Sequence, residues 1–452
     1  MRLIKPLHVS GYLAHAIPGK VWQLLAIVII LLLAILIRLP LAETPGYTDD
    51  VNRYMERSWK ASTFGIGSTY TDDYKIKATN NLPGLVYVFE AVGMFHRAFV
   101  DPSFPAPLSN AYRNPDHRFL LRIPAILADL VTGLLIFVSA RRRAGALMGL
   151  LLMATFVLNP AIVFVSALAG QTQGIYIVLI VAAFVAIEWR QPVIAWFAIA
   201  LAAGTKPQAW IFLPVVAILT LRLFGWRKLV EGGVILAAIW LLLVAPIVRT
   251  GNWPDLVDNM FFVSNKNNDV DHSAHNIWYL VVQTETVHDS EPFPPLESMG
   301  LPWLTYRHVA LAALGLVELV VLFVLWRRPD AVHMYLWSAF LFCGFVILST
   351  NMHQWYLVGA LPLLLLAAAE APGWLWLYIV FSITATLNMA LHYPSVMTWL
   401  VPAAAKDEDA ANAPLAIPRL ANAATNVALF VTWAILLTRR NYLKLGVRGD
   451  TG

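Results

Sequence analysis

One stretch near the start of the chain, from Val21 to Ile37, contains no charged side chain and consists almost wholly of aliphatic residues. A helix of about 20 apolar residues is long enough to cross the ~30 Å hydrocarbon core of a bilayer. Within that core every backbone group must find its hydrogen-bond partner inside the segment, which a helix achieves. Lys20 precedes the run and no small-residue cleavage site follows it. We therefore expect a retained membrane-spanning helix rather than a signal peptide.

Runs of the same kind recur through the chain and leave little room for another fold class. Together they predict an all-α polytopic membrane protein of about 12 spans, near residues 21–37, 119–140, 144–162, 171–188, 192–205, 208–223, 229–248, 308–326, 331–350, 354–370, 374–391 and 419–438. The composition agrees, because 59% of the residues are hydrophobic and only 13% are charged, against about 25% charged in soluble domains. A soluble enzyme, a disordered chain and a nucleic-acid-binding protein are therefore excluded.

The basic residues indicate which span ends share a side of the membrane. Half of the 32 Lys and Arg residues fall at the two termini and in the short connections that alternate spans place on one side. Short loops rich in Lys and Arg stay cytoplasmic, so both termini are predicted to be cytoplasmic. The net charge of +5 then reflects topology and needs no anionic partner. Compact loops without an Asn-x-Ser/Thr site fit a bacterial plasma membrane.

Most of the loop residues are predicted on the extracytoplasmic side, in loops covering 40–118, 249–307 and 392–418. We expect these loops and the spans to form a single membrane domain over residues 1–452. In the first loop, the apolar residues of 46–60 and of 85–99 recur with a helical period. Amphipathic helices of this kind lie in the membrane interface.

Two adjacent carboxylates, Asp49 and Asp50, stand where the first of these amphipathic helices begins. One interpretation is that Thr48 or one aspartate caps the helix while the other carboxylate complements the helix dipole. A second is a general base at the membrane surface that removes a proton from a hydroxyl nucleophile. A divalent-metal site is a third, but two neighbouring carboxylates are weak support for one.

Several short motifs follow one another along the chain. They are Asp50 with Tyr54 and Trp59, then residues 81–85, 122–130, 158–160 with 170–173, 206–208, 276–278 and 351–357. In this order, over roughly residues 20–370, the chain resembles the GT-C superfamily of polytopic glycosyltransferases, which use polyprenyl-phosphate-linked sugars. It is most similar to the dolichyl-phosphate-glucose-dependent glucosyltransferases of the N-glycan pathway and their bacterial relatives.

The resemblance implies a GT-C-like helical bundle whose catalytic base is an aspartate just after the first span. The matching motif gives that role to Asp50, with Asp49 as the near alternative because the residue after Asp50 is not the family's common aromatic. For the donor phosphate it implies Lys206, His353 and Tyr356. The last motif, residues 351–357, is called the late motif below. Many members have His-Glu-Arg-Tyr there, whereas this chain has tryptophan in place of the arginine. One expected cation near the phosphate is therefore missing.

Other polar residues in these motifs are candidates for binding the sugar or the acceptor: Gln171, Gln173, Gln208, His275 and Asn276. The residues alone allow simpler explanations, since lysines such as Lys206 often snorkel and glutamines often bond between helices. Asp129, inside a span, is expected to bond another helix. His272 and His275 have the spacing of a zinc pair but lack further ligands, so no metal or other cofactor is predicted.

These features predict an inverting transfer of a hexose, glucose or mannose, from a polyprenyl-phosphate-linked donor. The acceptor would be a hydroxyl of a lipid-linked glycan or another extracytoplasmic molecule. A single carboxylate base suffices for such a transfer. The expected partners are the lipid-linked donor, the glycan acceptor and membrane lipid, without nucleic acid. The alternative is a flippase or transporter of lipid-linked sugars, which predicts inverted symmetry, interrupted helices and paired charges near mid-membrane.

Overall fold

The computed structural model describes residues 19–73, 76–105, 114–261, 269–271, 273–282, 287–402 and 412–439. Over these ranges the chain is helical, and the only β pairing consists of three isolated bridges. The helices in chain order are α1 (Gly19–Ala42), α2 (Thr48–Phe64), α3 (Pro83–Phe99), α4 (Pro115–Ala144), α5 (Ala146–Val157), α6 (Pro160–Val163), α7 (Gln173–Glu188), α8 (Pro192–Thr205), α9 (Leu213–Phe224), α10 (Trp226–Arg249), α11 (Trp253–Phe261), α12 (Ile277–Val281), α13 (Pro294–Glu297), α14 (Tyr306–Arg327), α15 (Ala331–Leu348), α16 (Leu361–Ala368), α17 (Leu375–Ala390), α18 (Pro394–Leu400) and α19 (Asn412–Arg439). Short 3-10 segments cover Ile66–Tyr70, Pro207–Phe212, Tyr356–Ala360 and Pro372–Trp374.

The described helices confirm an all-α polytopic membrane protein. Eight of them are long and apolar enough to cross a membrane, and nine if α5 and the helical segment after it form one bent span. The remaining predicted spans coincide with three shorter apolar helices, Gln173–Glu188, Pro192–Thr205 and Tyr356–Ala368. By length and composition, the described part of the chain therefore provides eight or nine crossings. The prediction of about 12 requires the three shorter helices to cross as well.

The first span is longer than the sequence predicts, because Arg38 lies inside the helix rather than at its end. The Arg38 side chain is fully buried, and its Nη2 donates to Asp129 Oδ2 of α4 at 3.4 Å. Its Nη1 donates to the Val157 carbonyl at 2.7 Å. The buried charge is tolerated because it is both paired and hydrogen-bonded. Asp129 thus bonds another helix, as expected.

Both helices predicted in the first outer loop are present, as α2 and α3. They pack closely: the Ser58 hydroxyl donates to the Phe89 carbonyl at 2.7 Å, and the Tyr54 ring stacks on Phe89 with centroids 5.1 Å apart. Leu121 of α4 joins the same buried apolar cluster. The two helices are therefore fixed to each other and to the bundle, while their position in a membrane interface stays a prediction.

Polar residues from separate inner connections meet at one end of the bundle. Arg143 lies 3.0 Å from a carboxylate oxygen of Glu370 and 3.5 Å from one of Glu188. The Tyr335 hydroxyl donates to Glu188 at 2.6 Å. Arg143, Glu188 and Glu370 lie in or next to connections predicted to be cytoplasmic, and Tyr335 lies near the start of α15, beside another of them. The structure thus places these connections on one side, as the charge pattern predicts, although which side faces the cytoplasm stays a prediction.

A 45° bend interrupts the span that begins with α5. Pro160 starts its second half at the first helical position, where proline is favoured. Asn159 caps that half by accepting from the Ala161 amide at 2.8 Å. It also donates to the Tyr378 hydroxyl at 2.6 Å, which ties the bend to α17. The segment ends in a π-helical turn over Phe164–Leu168, and the chain emerges beside the start of α2.

Two glycines with left-handed backbone angles allow the start of α2 and the end of the bent span to meet. Gly46 precedes α2 with a φ of +78°, and Gly170 follows the π-helical turn with a φ of +74°. Arg122 of α4 lies against both: a Cβ on Gly170 would be 2.8 Å from its Nε, and one on Gly46 would collide with its Nη2. Arg122 Nη1 donates to the Ala42 carbonyl at the end of α1. One buried guanidinium thus joins three segments.

We expect Gly46→Ala to lower the free energy of unfolding more than Gly65→Ala does. Both glycines have a positive φ, which costs other residues about 1–3 kcal/mol. A Cβ at Gly65 meets open space, whereas at Gly46 it meets Arg122. Thermal midpoints of the two purified variants in the same detergent measure the difference. Equal losses would show that the contact with Arg122 contributes nothing.

Candidate active site

Asp50 lies in the first turn of α2, and its carboxylate is bonded across the bundle rather than to its own helix. Its Oδ2 accepts a hydrogen bond of 2.9 Å from Gln171 Nε2. Tyr47 occupies the N-cap position, where no side chain caps the helix. The interpretation of Thr48 or an aspartate as the N-cap is therefore wrong. Both Asp49 and Asp50 lie in the first turn, where a carboxylate complements the helix dipole. Asp49 is exposed and Asp50 half-buried.

Gln171 is the residue that connects Asp50 to the bent span. Its Oε1 accepts from the Tyr54 hydroxyl at 3.0 Å, while its Nε2 donates to Asp50. Its backbone amide donates to the Val165 carbonyl at 2.9 Å. The side chain is 1% exposed. Because both ends of the amide are engaged, its orientation is fixed, with the nitrogen toward the carboxylate.

Lys206 follows α8 and provides a cation near Asp50. Burial lowers the pKa of its amine to about 8, which the Asp50 carboxylate opposes and the Arg57 guanidinium reinforces. Burial also lowers the pKa of Arg57, against the influence of Tyr54 and Asp50. Asp50, Tyr54 and Arg57 share one face of α2, since they are four and three residues apart. The site therefore combines one carboxylate with two cations.

The late motif reaches this site through its aromatic residues. Trp355 packs edge-on against Tyr47, just before α2, with ring centroids 5.3 Å apart. His353 stacks on Trp355 at 5.1 Å. The Tyr356 hydroxyl interacts electrostatically with Asp50 and by a hydrogen bond with the Gln208 side chain. The structure thus brings together Asp50, Lys206, Tyr356 and the stacked His353, which the resemblance names for chemistry and phosphate binding.

Residues of the second outer loop form hydrogen bonds with the chain that leads into the late motif. Asp289 is 3% exposed and accepts hydrogen bonds from Arg307 at 2.7 and 3.0 Å and from the Thr350 hydroxyl at 3.0 Å. The Asn351 amide donates to the Val270 carbonyl at 3.2 Å. These bonds hold the chain just before His353. Asp289 is not predictable from the sequence, because nothing near it in the chain indicates that its partners are Arg307 and Thr350.

His275 and Asn276 belong to a different polar cluster. Asn276 caps α12 by accepting from the Trp278 amide at 2.9 Å, and its Nδ2 donates to the carbonyls of α15 and Ser349. His275 Nε2 lies 3.1 Å from His392 Nε2, and burial lowers the pKa of His275 to about 3. No hydrogen bond in the described ranges connects either residue to Asp50 or Lys206. These contacts give no support to sugar binding by this pair.

Gln173 and Gln208 lie on the two sides of the site. Gln173 is the first residue of α7, two positions after Gln171, and is 1% exposed. Gln208 is two positions after Lys206 and is 8% exposed. Gln173 Nε2 and Oε1 and Gln208 Oε1 have no hydrogen-bond partner.

His272, one of the two histidines with zinc-like spacing, falls outside the described residues. In the part of the chain that is described, no group of three or more His, Cys, Asp or Glu residues could hold a metal ion.

Two further residues of the site, Arg57 and Tyr176, are not identified by the sequence motifs. Arg57 interacts with Asp50 and with Lys206, and Tyr176 interacts with Tyr356. Helical spacing is the signal that indicates each of them. Arg57 lies seven residues after Asp50 on α2, and Tyr176 lies three residues after Gln173 on α7, so each shares a face with a residue that the motifs identify.

Comparison with known proteins yields a match in structure but not in sequence. No protein-family model matches the chain, and no curated protein matches its sequence. ArnT from Cupriavidus metallidurans bound to undecaprenyl phosphate is 13% identical, with a TM-score of 0.51 over 94% of this chain and 78% of ArnT. In the apo state ArnT is 13% identical, with a TM-score of 0.50 over 92% and 77% of the two chains.

The archaeal oligosaccharyltransferase AglB from Archaeoglobus fulgidus, in complex with an inhibitory peptide and a dolichol-phosphate, matches at a lower level. It is 12% identical, with a TM-score of 0.42 over 94% of this chain and 60% of AglB. At 13% identity the likeness to ArnT concerns the fold alone. The chain is an all-α polytopic membrane protein that shares its fold with ArnT.

Proposed function

We propose that the protein is an inverting glycosyltransferase that moves a hexose, glucose or mannose, from a polyprenyl-phosphate-linked donor to a hydroxyl acceptor. The acceptor is a lipid-linked glycan or another extracytoplasmic molecule. The observation that carries the proposal is the Asp50 carboxylate, held by Gln171 and faced by Lys206. A fold shared with ArnT, which was solved bound to undecaprenyl phosphate, supports a lipid phosphate as part of the substrate.

In this reaction Asp50 is the general base. Gln171 donates to Oδ2, and none of the described residues donates to Oδ1, so Oδ1 is available to take the proton. The acceptor oxygen attacks the anomeric carbon as its proton passes to the carboxylate. The bond from that carbon to the phosphate oxygen breaks, and polyprenyl phosphate leaves. Asp49 is the weaker candidate because it is exposed and makes no bond to Gln171.

Two cations stabilise the charge that develops on the leaving phosphate. Lys206 provides one. We assign the second to Arg57, because tryptophan stands at position 355 where many family members have arginine, and Trp355 packs against Tyr47. His353 and Tyr356 complete the phosphate side. This chemistry requires no metal. The charge pattern of the loops supports a site on the extracytoplasmic face, and compact loops without an Asn-x-Ser/Thr site support a bacterial plasma membrane.

Asp50→Asn should reduce transfer at least 100-fold, because a general base contributes about 10²–10⁴ to the rate. The measurement is release of undecaprenyl phosphate from undecaprenyl-phosphate-glucose or -mannose in membranes that contain the protein. Asp49→Asn is the matched control and should stay within a few-fold of the wild-type rate. A folded Asp50→Asn variant with wild-type transfer would refute the base assignment. Movement of intact donor between leaflets without its cleavage would instead favour the flippase.

Affinity for undecaprenyl phosphate should fall as the pH rises through about 8. The Lys206 amine is cationic below its pKa of about 8 and neutral above it, whereas the second ionisation of a phosphate monoester is complete well below that pH. Asp50 raises the pKa of Lys206, so Asp50→Asn should move the loss of affinity to lower pH.

Binding of labelled undecaprenyl phosphate between pH 7 and 9.5 tests this prediction. Lys206→Arg should bind with little dependence on pH in this range, because arginine stays charged. Lys206→Met should bind weakly throughout. A wild-type affinity that does not change across this range would exclude Lys206 as a phosphate ligand.

A further inference from the structure

A group of buried polar atoms without hydrogen-bond partners lies beside the Asp50 site. It consists of Gln173 Nε2 and Oε1, the Tyr176 hydroxyl and Gln208 Oε1. The exposed fractions of the three residues are 1%, 0% and 8%. Within the described ranges, Gln173 is the only side-chain amide whose nitrogen and oxygen are both fully buried and unbonded. The concentration of such atoms at this place requires an explanation.

Burying these polar atoms without a hydrogen bond costs free energy that a purely structural role does not return. Leaving one buried donor or acceptor unsatisfied costs about 1–3 kcal/mol. Tyr176 lies inside the main apolar core, among residues such as Ile177 and Ile180, where phenylalanine would fill nearly the same volume without that cost. The hydroxyl and the two amides therefore need another reason to be there, and a bound ligand provides one.

The three residues surround the site where the proposed reaction occurs. Gln173 and Tyr176 are three residues apart on α7 and so share a face. The Tyr176 hydroxyl interacts with the Tyr356 hydroxyl, which interacts with Gln208 and with Asp50. The unpartnered atoms thus lie next to the carboxylate and the late motif, and Tyr176 is one helical turn farther along α7 than Gln173.

Other buried tyrosines show that this fold provides partners where a hydroxyl has a structural role. The Tyr378 hydroxyl donates to the Thr155 carbonyl at 2.9 Å and accepts from Asn159 at 2.6 Å. The Tyr335 hydroxyl donates to Glu188 at 2.6 Å. Tyr176 differs from both, since it is equally buried but unbonded. Tyr378 therefore serves as a matched comparison for Tyr176.

The chemistry of the group indicates what it binds. A primary amide both donates and accepts, a phenol does the same, and an amide oxygen accepts, so together they match the hydroxyls of a sugar. None of the three side chains is charged. A carboxylate or an ammonium group on the sugar would find no counter-charge among these three side chains, and burying a charge without one is strongly unfavourable.

We propose that Gln173, Tyr176 and Gln208 form the subsite for the transferred sugar, and that this sugar is neutral with free hydroxyls. The inference rests on the proposed function and specifies its donor. It assigns Gln173 and Gln208 to the donor sugar rather than to the acceptor, and it adds Tyr176. Because the subsite is buried, each hydroxyl that it bonds contributes strongly to the choice of sugar.

Thermal midpoints of the purified full-length protein test the subsite without turnover. In the wild type, undecaprenyl-phosphate-glucose or -mannose should raise the midpoint more than undecaprenyl phosphate alone. Tyr176→Phe and Gln173→Leu should lose that sugar-dependent increment and keep the response to undecaprenyl phosphate. Undecaprenyl phosphate linked to galacturonic acid should give no increment.

Tyr378→Phe is the control for a structural hydroxyl. It should lower the midpoint of the ligand-free protein and keep the sugar-dependent increment. Tyr176→Phe should not lower the ligand-free midpoint, because its hydroxyl has no partner to lose. In the transfer assay Tyr176→Phe should reduce kcat/KM for the donor at least tenfold, mainly through KM, with Tyr378→Phe within twofold of wild type.

Three results would overturn the inference. They are a full sugar-dependent increment in Tyr176→Phe, an equal wild-type response to donor and to undecaprenyl phosphate, and a galacturonic acid donor that stabilises as well as the neutral ones. Failure of the proposed function has a different signature. In that case the donor and its increment behave as described, but Asp50→Asn still transfers sugar or no variant cleaves the donor.

Discussion

The arrangement of the site depends on one buried guanidinium. Arg122 projects from α4, donates to the last carbonyl of α1 and lies against Gly46 and Gly170. The neighbouring Arg118 donates to the Glu43 carbonyl at 2.7 Å. These contacts hold the start of α2 against the end of the bent span. The 2.9 Å bond between Asp50 and Gln171 forms because its two partners are carried by segments that are already joined.

The site also depends on how the bundle separates its charges. The Arg38–Asp129 pair is confined to the interior, and the Arg143 cluster occupies the opposite end. Asp50, Arg57 and Lys206 therefore interact within one local group. The Asp50 carboxylate raises the pKa of both cations and Arg57 lowers the pKa of Lys206, and burial makes such effects larger than at an exposed surface. A carboxylate next to an amine whose pKa is lowered suits the proposed reaction, which moves a proton and releases a phosphate.

The sequence predicts those features that depend on local pattern. Apolar runs locate the spans, helical period locates α2 and α3, and the motif with Tyr54 locates Asp50 in the first turn of α2. Features that depend on distant partners escape such reasoning. Arg38 reads as the end of a span until Asp129 is known to lie opposite. His275 and Asn276 lie in a family motif, yet their bonds go to His392, to Asn422 and to α15. From the sequence, Tyr176 is indistinguishable from an ordinary core aromatic residue. Only the three-dimensional structure shows whether its hydroxyl has a hydrogen-bond partner.

The π-helical turn before Gly170 has a consequence for how this chain tolerates insertions and deletions. The Ala169 amide bonds to the Phe164 carbonyl at 2.7 Å and the Gln171 amide to the Val165 carbonyl at 2.9 Å, so the turn sets the register of Gln171. One residue of an α-helix corresponds to about 100° of rotation. A single insertion between Pro160 and Gln171 would turn the amide away from the carboxylate. Length variation among evolutionary relatives should therefore be rare in this short segment and frequent in the second outer loop.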